Sequence, residues 1–416
     1  MYFAQYPYDR PENLDGDFIV ATYLIFCPDG RDVLQKAGNF AVGQTVGTWV
    51  PVPGVSEDMV RRFQGRVVSL YAVGGGEEGR YLLRVAFPQA NFRGSFAMMM
   101  TALVGNDVST ALQSKLLDLE FCGGSLRSFR GPAKGMEELR KLTGVTGRPV
   151  VLNMIKPCTG FTPEEGAKLF YASACGGVDL IKDDELLGSP SYNQVARRVS
   201  AYLKAAESAY ERTGKHTVYM VNITDTPERM RDNAKAAIEA GAQACLVNYV
   251  FGGLDALAEI CEEFGDRLFI MAHYAGVGVL NWATGGISNR VFVGLLPRLA
   301  GAHAVMTMNP DHGDPAAMLD FRQIVQAQNL PLPGVRPLVT AVGGGVTPVN
   351  QRELQKELGG DVIIGIGGAI QGHPMGTTAG AQAAMAAVKA TAQGTDLETA
   401  AESCESLRAA LKLWPQ

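Results

Sequence analysis

From about residue 148 the chain settles into a regular rhythm of short apolar runs and longer amphipathic stretches. The runs are RPVVLNMI, VDLIK, HTVYMVNIT, ACLVNY, LFIMAH, HAVMTM, PLVTAV and DVIIGIGG. Apolar, β-branched runs of this length, bounded by turn residues, read as buried strands. The stretches between them carry helix signals. TPEEGAKLFYASA opens with a Thr cap and a Pro in the first turn, and TPERMRDNAKAAIEAG repeats that pattern and ends on Gly. NQVARRVSAYLKAAESAYERTG, GLDALAEICEEFG, SNRVFVGLLPRLAG, DPAAMLDFRQIVQAQ, TPVNQRELQKELGG and GAQAAMAAVKATAQ complete the series. Strict alternation of eight strands with eight helices predicts an α/β fold, a (β/α)8 TIM barrel. An open doubly wound sheet is the structural rival. One more helix is expected over 396–412.

The earlier part has another pattern. FIVATYLIFC reads as a strand, and RVVSLYAV and RYLLRVAFP flank GGGEEG as a hairpin. SEDMVRRFQG and the stretch around 95–112 have helical spacing, and LLDLEFC follows. Strands mixed with two helices predict an N-terminal α+β domain of ferredoxin-like type. The expected division is 1–130 for this domain and 131–416 for the barrel with its C-terminal helix.

Composition narrows the partners. Hydrophobic residues make up 47%, charged residues 19%, and the formal net charge is −5. An acidic chain is not drawn to nucleic acid or to an anionic membrane surface. A small phosphorylated substrate stays possible, because a few lysines and backbone amides can hold it locally. The seven cysteines are odd in number and form no CxxC pair, which fits free thiols in a reducing compartment. The N-terminus lacks a basic and an apolar signal region, and no apolar run reaches the ~18 residues of a membrane helix. The expected location is cytoplasmic.

In a barrel, chemistry sits at the C-terminal ends of the strands. Strand 2 ends in Lys182-Asp183-Asp184-Glu185. This run is either a solvated charge cluster or part of a site. Mg²⁺ prefers oxygen ligands, and a buried lysine has a lowered pKa and a free amine that can add CO₂. Lys182 as a carbamate, with Asp184 and Glu185, would hold one Mg²⁺. Lys156, at the end of strand 1, is either a surface lysine at a loop start or a desolvated general base with a lowered pKa. His273 ends strand 5 and is structural or catalytic. Strands 7 and 8 run into Gly343-Gly344-Gly345 and Gly367-Gly368, either tight turns or the phosphate site usual at these strands. His373 follows in QGHPMG and reads as structural. Together the parts describe a Mg²⁺-assisted proton transfer next to a carbonyl of a phosphorylated substrate.

GGVDLIKDDE (176–185) resembles the RuBisCO large-chain motif that carries the carbamylated lysine. IKP (155–157), His273, the glycine loops and GHPMG (372–376) fall in the same order. TVGTW (45–49) resembles the segment that places Thr48 and Trp49 on a substrate phosphate, and VGN (104–106) the segment of an active-site asparagine, here Asn106. The resemblance covers nearly the whole chain. It implies Mg²⁺ with a carbamate on Lys182, phosphate binding by Thr48, Trp49, Gly344, Gly345, Gly367 and Gly368, and a homodimer whose subunits share active sites.

The departures shape the expected activity. Relative to a carboxylating RuBisCO, Cys158 replaces a second lysine, Tyr274 an arginine, Met306 a histidine, Gly343 a serine and Gly43 a glutamate. The stretch Met308-Asn309-Pro310-Asp311-His312-Gly313 lacks the lysine that steadies the carboxylated intermediate. The chain is therefore identified as a RuBisCO-like protein (form IV). In style it is nearest the 2,3-diketo-5-methylthiopentyl-1-phosphate enolases, although Asn106 stands where those enolases have a catalytic lysine. The expected activity is enolisation, isomerisation or decarboxylation of a keto-sugar phosphate. The alternatives are decarboxylation of a 3-oxo sugar-acid phosphate, methylthioribulose 1-phosphate isomerisation, a non-catalytic scaffold and, last, true carboxylation. Tyr274, Met306, Trp282 and Cys158 point to a substrate with one phosphate and a less polar tail.

Overall fold

A computed structural model describes residues 14–28, 32–47, 53–76, 79–110 and 112–414. The chain divides into two compact units. The first comprises Met1–Gly131 with Gly276–Leu299 and Leu330–Val335, and the second the remainder.

In the first unit, strands Phe18–Phe26, Arg66–Ala72, Arg80–Pro88 and Gln113–Cys122 form an antiparallel sheet. The strand Phe18–Phe26 lies in the middle, pairing with Arg80–Pro88 on one side and Gln113–Cys122 on the other. This is the strand order of a ferredoxin-like fold. The helices Glu57–Phe63 and Phe96–Val104 start at Ser56 and Ser95, whose side chains accept from the amides of Met59 and Met98. An unforeseen helix, Val33–Gly43, buries Val33, Ala37, Phe40 and Ala41.

The second unit is the barrel. Its strands are Val150–Met154 (barrel strand 1), Leu180–Lys182 (2), Val218–Asn222 (3), Ala244–Asn248 (4), Phe269–His273 (5), Ala304–Met308 (6), Val339–Gly343 (7) and Ile363–Ile366 (8). All pairs are parallel, and strand 8 closes onto strand 1 with Ile363 opposite Val150. Every second residue faces the interior, where Val150, Leu152, Leu180, Met220, Leu246, Met271, Ala304 and Ala341 pack together. Counting on by two from these inward positions reaches Lys182, Asn222, Asn248, His273 and Gly343 at the C-terminal mouth.

Two expectations are corrected. SNRVFVGLLPRLAG is not an ordinary barrel helix. It winds as a π-helix over Arg290–Leu295, continues as α over Leu296–Leu299, and groups with the first unit. There the two-residue strand Gly286–Ile287 adds a parallel edge to the sheet. The helix expected over 396–412 is two helices, Leu397–Glu402 and Glu405–Leu413, the first capped by Asp396. Among the described residues no helix is long and apolar enough to cross a membrane.

The helix Thr377–Ala392 packs closely against the loop after strand 8. A Cβ on Gly380 would fall 2.2 Å from the Ile370 carbonyl oxygen and 2.9 Å from the His373 Cβ. Gly380→Ala should therefore cost about 1–3 kcal/mol, the usual range for overpacking. A urea titration reads this as a lowered midpoint at unchanged slope; an unchanged midpoint would show that the loop yields without strain.

Candidate active site

A cleft of about 590 Å³ opens at the C-terminal mouth of the barrel. It brings together Lys156, Lys182, Asp184, Glu185, His273, Gly344, Gly345, Gly367 and Gly368. Asn106 begins the helix Asn106–Thr110 of the first unit. Thr48 and Trp49 lie outside the described residues.

Lys182 is buried, with 1% of its surface exposed. Its Nζ donates to the Asp183 carbonyl at 3.0 Å and lies 3.4 Å from Glu185 Oε2. Burial lowers its pKa, and the nearby Glu185 and Asp184 charges only partly oppose that. Asp184 is buried as well. Burial would raise its carboxyl, but the Lys156 ammonium and the Leu186 amide outweigh it and hold the group below its usual range.

Lys156 departs from expectation. It is only partly buried, and its Nζ sits 2.5 Å from Asp184 Oδ2 and 3.1 Å from Cys158 Sγ. Burial pulls its pKa down, yet the Asp184 and Cys158 contacts more than offset this, and the amine is raised above the ordinary 10.5. In this arrangement Lys156 is an ammonium, not a poised base. Its pair with Asp184 therefore stabilises the fold below that ordinary value, and the contribution is lost as pH climbs through the higher folded value.

His273 is 4% exposed. Burial first, then the Lys182 and Lys156 charges, push it well below 6.5, so the ring is neutral at pH 7. Nδ1 accepts from the Ala275 amide at 3.2 Å. The ring proton is thereby assigned to Nε2, which faces Glu185 Oε2 at 3.5 Å.

The glycine loops supply donors. Among the described residues the backbone N–H groups of Gly344, Gly345, Val346 and Gly367 have no hydrogen-bond acceptor. Gly344 and Gly345 have φ of 96° and 67°, a backbone that suits glycine. Met154, Tyr274 and Met306 add a less polar wall. The missing side chain of Gly343 makes room for Met306, whose sulfur lies 3.0 Å from where a Cβ would be.

Some residues escaped the sequence reading. Trp414, at the end of the last helix, also lines the cleft. Asn222 donates to the carbonyls of Asp184 and Glu185 at 3.2 and 3.1 Å, and Asn248 to that of Glu185 at 2.8 Å. The period-two count from Met220 and Leu246 would have found both asparagines; nothing local marks Trp414. His373 is structural, its Nε2 2.9 Å from the Ser406 carbonyl.

Among the described residues no three His, Cys, Asp or Glu side chains converge as a ready metal site. Asp184 and Glu185 provide two carboxylates, as hard-cation sites in proteins often do. The amine beside them, Lys182, is buried with a lowered pKa, the condition under which a lysine can become an oxygen ligand by taking up CO₂. The donor set therefore fits Mg²⁺ with a carbamylated Lys182.

The sequence model of the ribulose bisphosphate carboxylase large chain, catalytic domain, matches residues 135–414, and that of its N-terminal domain residues 8–122. The chain belongs to this family. It is a RuBisCO-like member: it is 36% identical to a ribulose bisphosphate carboxylase-like protein of Archaeoglobus fulgidus, over 98% of this chain and 96% of that one. It is 32% identical to a 2,3-diketo-5-methylthiopentyl-1-phosphate enolase of Bacillus pumilus, over 95% of this chain and 98% of the enolase. Among solved structures, the rubisco-like protein MtnW of Alicyclobacillus acidocaldarius superposes with a TM-score of 0.85 at 32% identity, covering 95% of this chain and 99% of that one.

Two titrations check the electrostatics. Asp184→Asn should lower the Lys156 pKa relative to wild type, read by ¹³C NMR of the methylated amine; an unmoved value would remove the ion pair as its cause. ¹⁵N-labelled His273 should stay neutral as pH falls through the ordinary histidine value, and a midpoint at that value would contradict its burial.

Proposed function

We propose that this RuBisCO-like protein is an enzyme that enolises a keto-sugar phosphate with the help of Mg²⁺ and is not a CO₂-fixing carboxylase, because its stretch Met308–Gly313 carries no lysine. The observation that carries the reading is one cleft holding both the lysine–carboxylate group and a row of unpartnered amides. Lys182 as a carbamate, with Asp184 and Glu185, would hold Mg²⁺. When bound, the ion would supply Lewis-acid polarisation of a substrate oxygen.

The chain's own residues do the rest. The amides of Gly344, Gly345, Val346 and Gly367 receive the phosphate, an anion that suits backbone N–H groups with no acceptor of their own. If Asp184 turned to the ion, Lys156 would lose the carboxylate that holds it as an ammonium; this part-exposed amine would then release a proton to solvent and, neutral, take the proton from the carbon next to the carbonyl. Neutral His273 offers its ring N–H to a substrate oxygen. Met154, Met306 and Tyr274 take the uncharged end, which suits one phosphate rather than two. The substrate named for the Bacillus pumilus enolase, 2,3-diketo-5-methylthiopentyl 1-phosphate, has this form and is the first candidate.

We also infer a homodimer whose subunits share active sites. Leu186 follows strand 2 and Phe251 follows strand 4, and they are 69% and 77% exposed. Large apolar groups exposed after the C-terminal ends of barrel strands suit a covering partner, and the family resemblance of Thr48, Trp49 and Asn106 fits that arrangement.

The reaction is tested by ¹H and ³¹P NMR in D₂O with Mg²⁺ and bicarbonate. Deuterium uptake next to the carbonyl of the diketo phosphate is expected, and Lys182→Ala should abolish it; equal uptake by that variant would sink the proposed site. For assembly, Leu186→Asp with Phe251→Asp should shift the particle toward a monomer in light scattering. A wild-type monomer, or an unshifted dimer, would remove this face as the interface.

A further inference from the structure

We propose that Asp183 and Arg198 form a buried positioning pair, which holds the turn after barrel strand 2 in the shape that presents Lys182, Asp184 and Glu185 to the cleft. The inference rests on the reading of that cleft as a cation site. Three consecutive acids follow Lys182, but they do not share a task. Side chains alternate along a strand, so with Lys182 inward, Asp183 points outward into the helix layer. Its side chain and that of Arg198 are both fully buried.

There Asp183 is saturated with donors. Arg198 Nε reaches it at 3.0 Å, the Tyr219 hydroxyl at 2.8 Å and the Asn222 amide at 2.9 Å. The remaining guanidinium N–H groups reach the backbone carbonyl of Asn193 at 2.6 Å and its side-chain oxygen at 3.1 Å, and the backbone carbonyls of Gly188 at 2.9 Å and Asn222 at 3.3 Å. One side chain thus ties the start of the turn, its end, the approach to the helix Val195–Thr213, and the end of strand 3. Asn222 extends the tie by donating to the carbonyls of Asp184 and Glu185.

Stability alone is a poor reason for such a pair, because well-packed apolar residues often serve as well. What a rigid fork of five donors adds is geometry. A carboxylate next in sequence to two site carboxylates, yet turned away from them, sets the direction in which they point.

The test uses the full chain with Asp183→Asn, which removes the charge, and Arg198→Lys, which keeps charge but loses the fork. Amide exchange is followed by mass spectrometry in metal-free protein, and Mn²⁺ binding by electron paramagnetic resonance with bicarbonate. Exchange across residues 184–188 should rise about tenfold while barrel strands 5 to 8 keep wild-type protection, and Mn²⁺ affinity should fall about tenfold or more, the usual cost of losing a group that orients ligands. Arg198→Lys should fall between Asp183→Asn and wild type, and it decides the matter if Asp183→Asn fails to fold. Wild-type exchange at the turn with wild-type Mn²⁺ affinity would overturn the proposal. So would exchange raised equally throughout the barrel, which marks a general stability role. If wild type itself binds no Mn²⁺, the cation reading falls, and local exchange at the turn still decides whether Asp183 and Arg198 position it.

Discussion

Charges inside a parallel barrel must find partners, and this constraint shapes the mouth of the molecule. The strands are buried on both faces, so an ionic side chain there loses its hydration. Lys182, Asp183 and Asp184 occupy three successive positions with almost no exposure. Each is paired differently: Lys182 with Glu185, Asp184 with Lys156, and Asp183 with Arg198. Two lysines balance two carboxylates inside the cleft, while the third carboxylate is balanced outside the strands by an arginine from a helix.

That balance gives the site two possible states of charge. As the chain stands, Lys156 and Asp184 satisfy each other, and the ammonium is favoured. A cation held by a carbamate on Lys182, Asp184 and Glu185 would replace these pairings and leave Lys156 without its carboxylate partner. In the proposed reading Lys156 is held charged while Asp184 pairs with it, and carries the proton only once that carboxylate has turned to a cation.

The remainder of the cleft is built by omission. Gly343 leaves space for the Met306 thioether, and Gly344 and Gly345, with positive φ, line the cleft without side chains. Where a carboxylating RuBisCO is expected to carry an arginine, a histidine and a serine, this chain has Tyr274, Met306 and Gly343. These three side chains carry less charge than the ones expected there, and the glycine loops beside them keep amides without an acceptor among the described residues.

Much of this was legible in the sequence, because it rests on local patterns. Alternating strands and helices define the barrel through periodicity alone. The residues at strand ends, Lys182, Asp184, Glu185, His273 and the glycine pairs, follow from the rule that places chemistry there. What the tertiary structure decided depends on groups far apart in the chain. The state of Lys156 is set by Asp184, 28 positions on. The role of Asp183 is set by Arg198 and Tyr219. Asn222 and Asn248 hold carbonyls on a neighbouring turn, and Trp414 reaches the cleft from the end of the chain. The π-helical turn at Arg290–Leu295 and the break between the last two helices also escape a period count. Periodicity reports which face is buried; only packing determines which charge lies beside which, and so which protons are held.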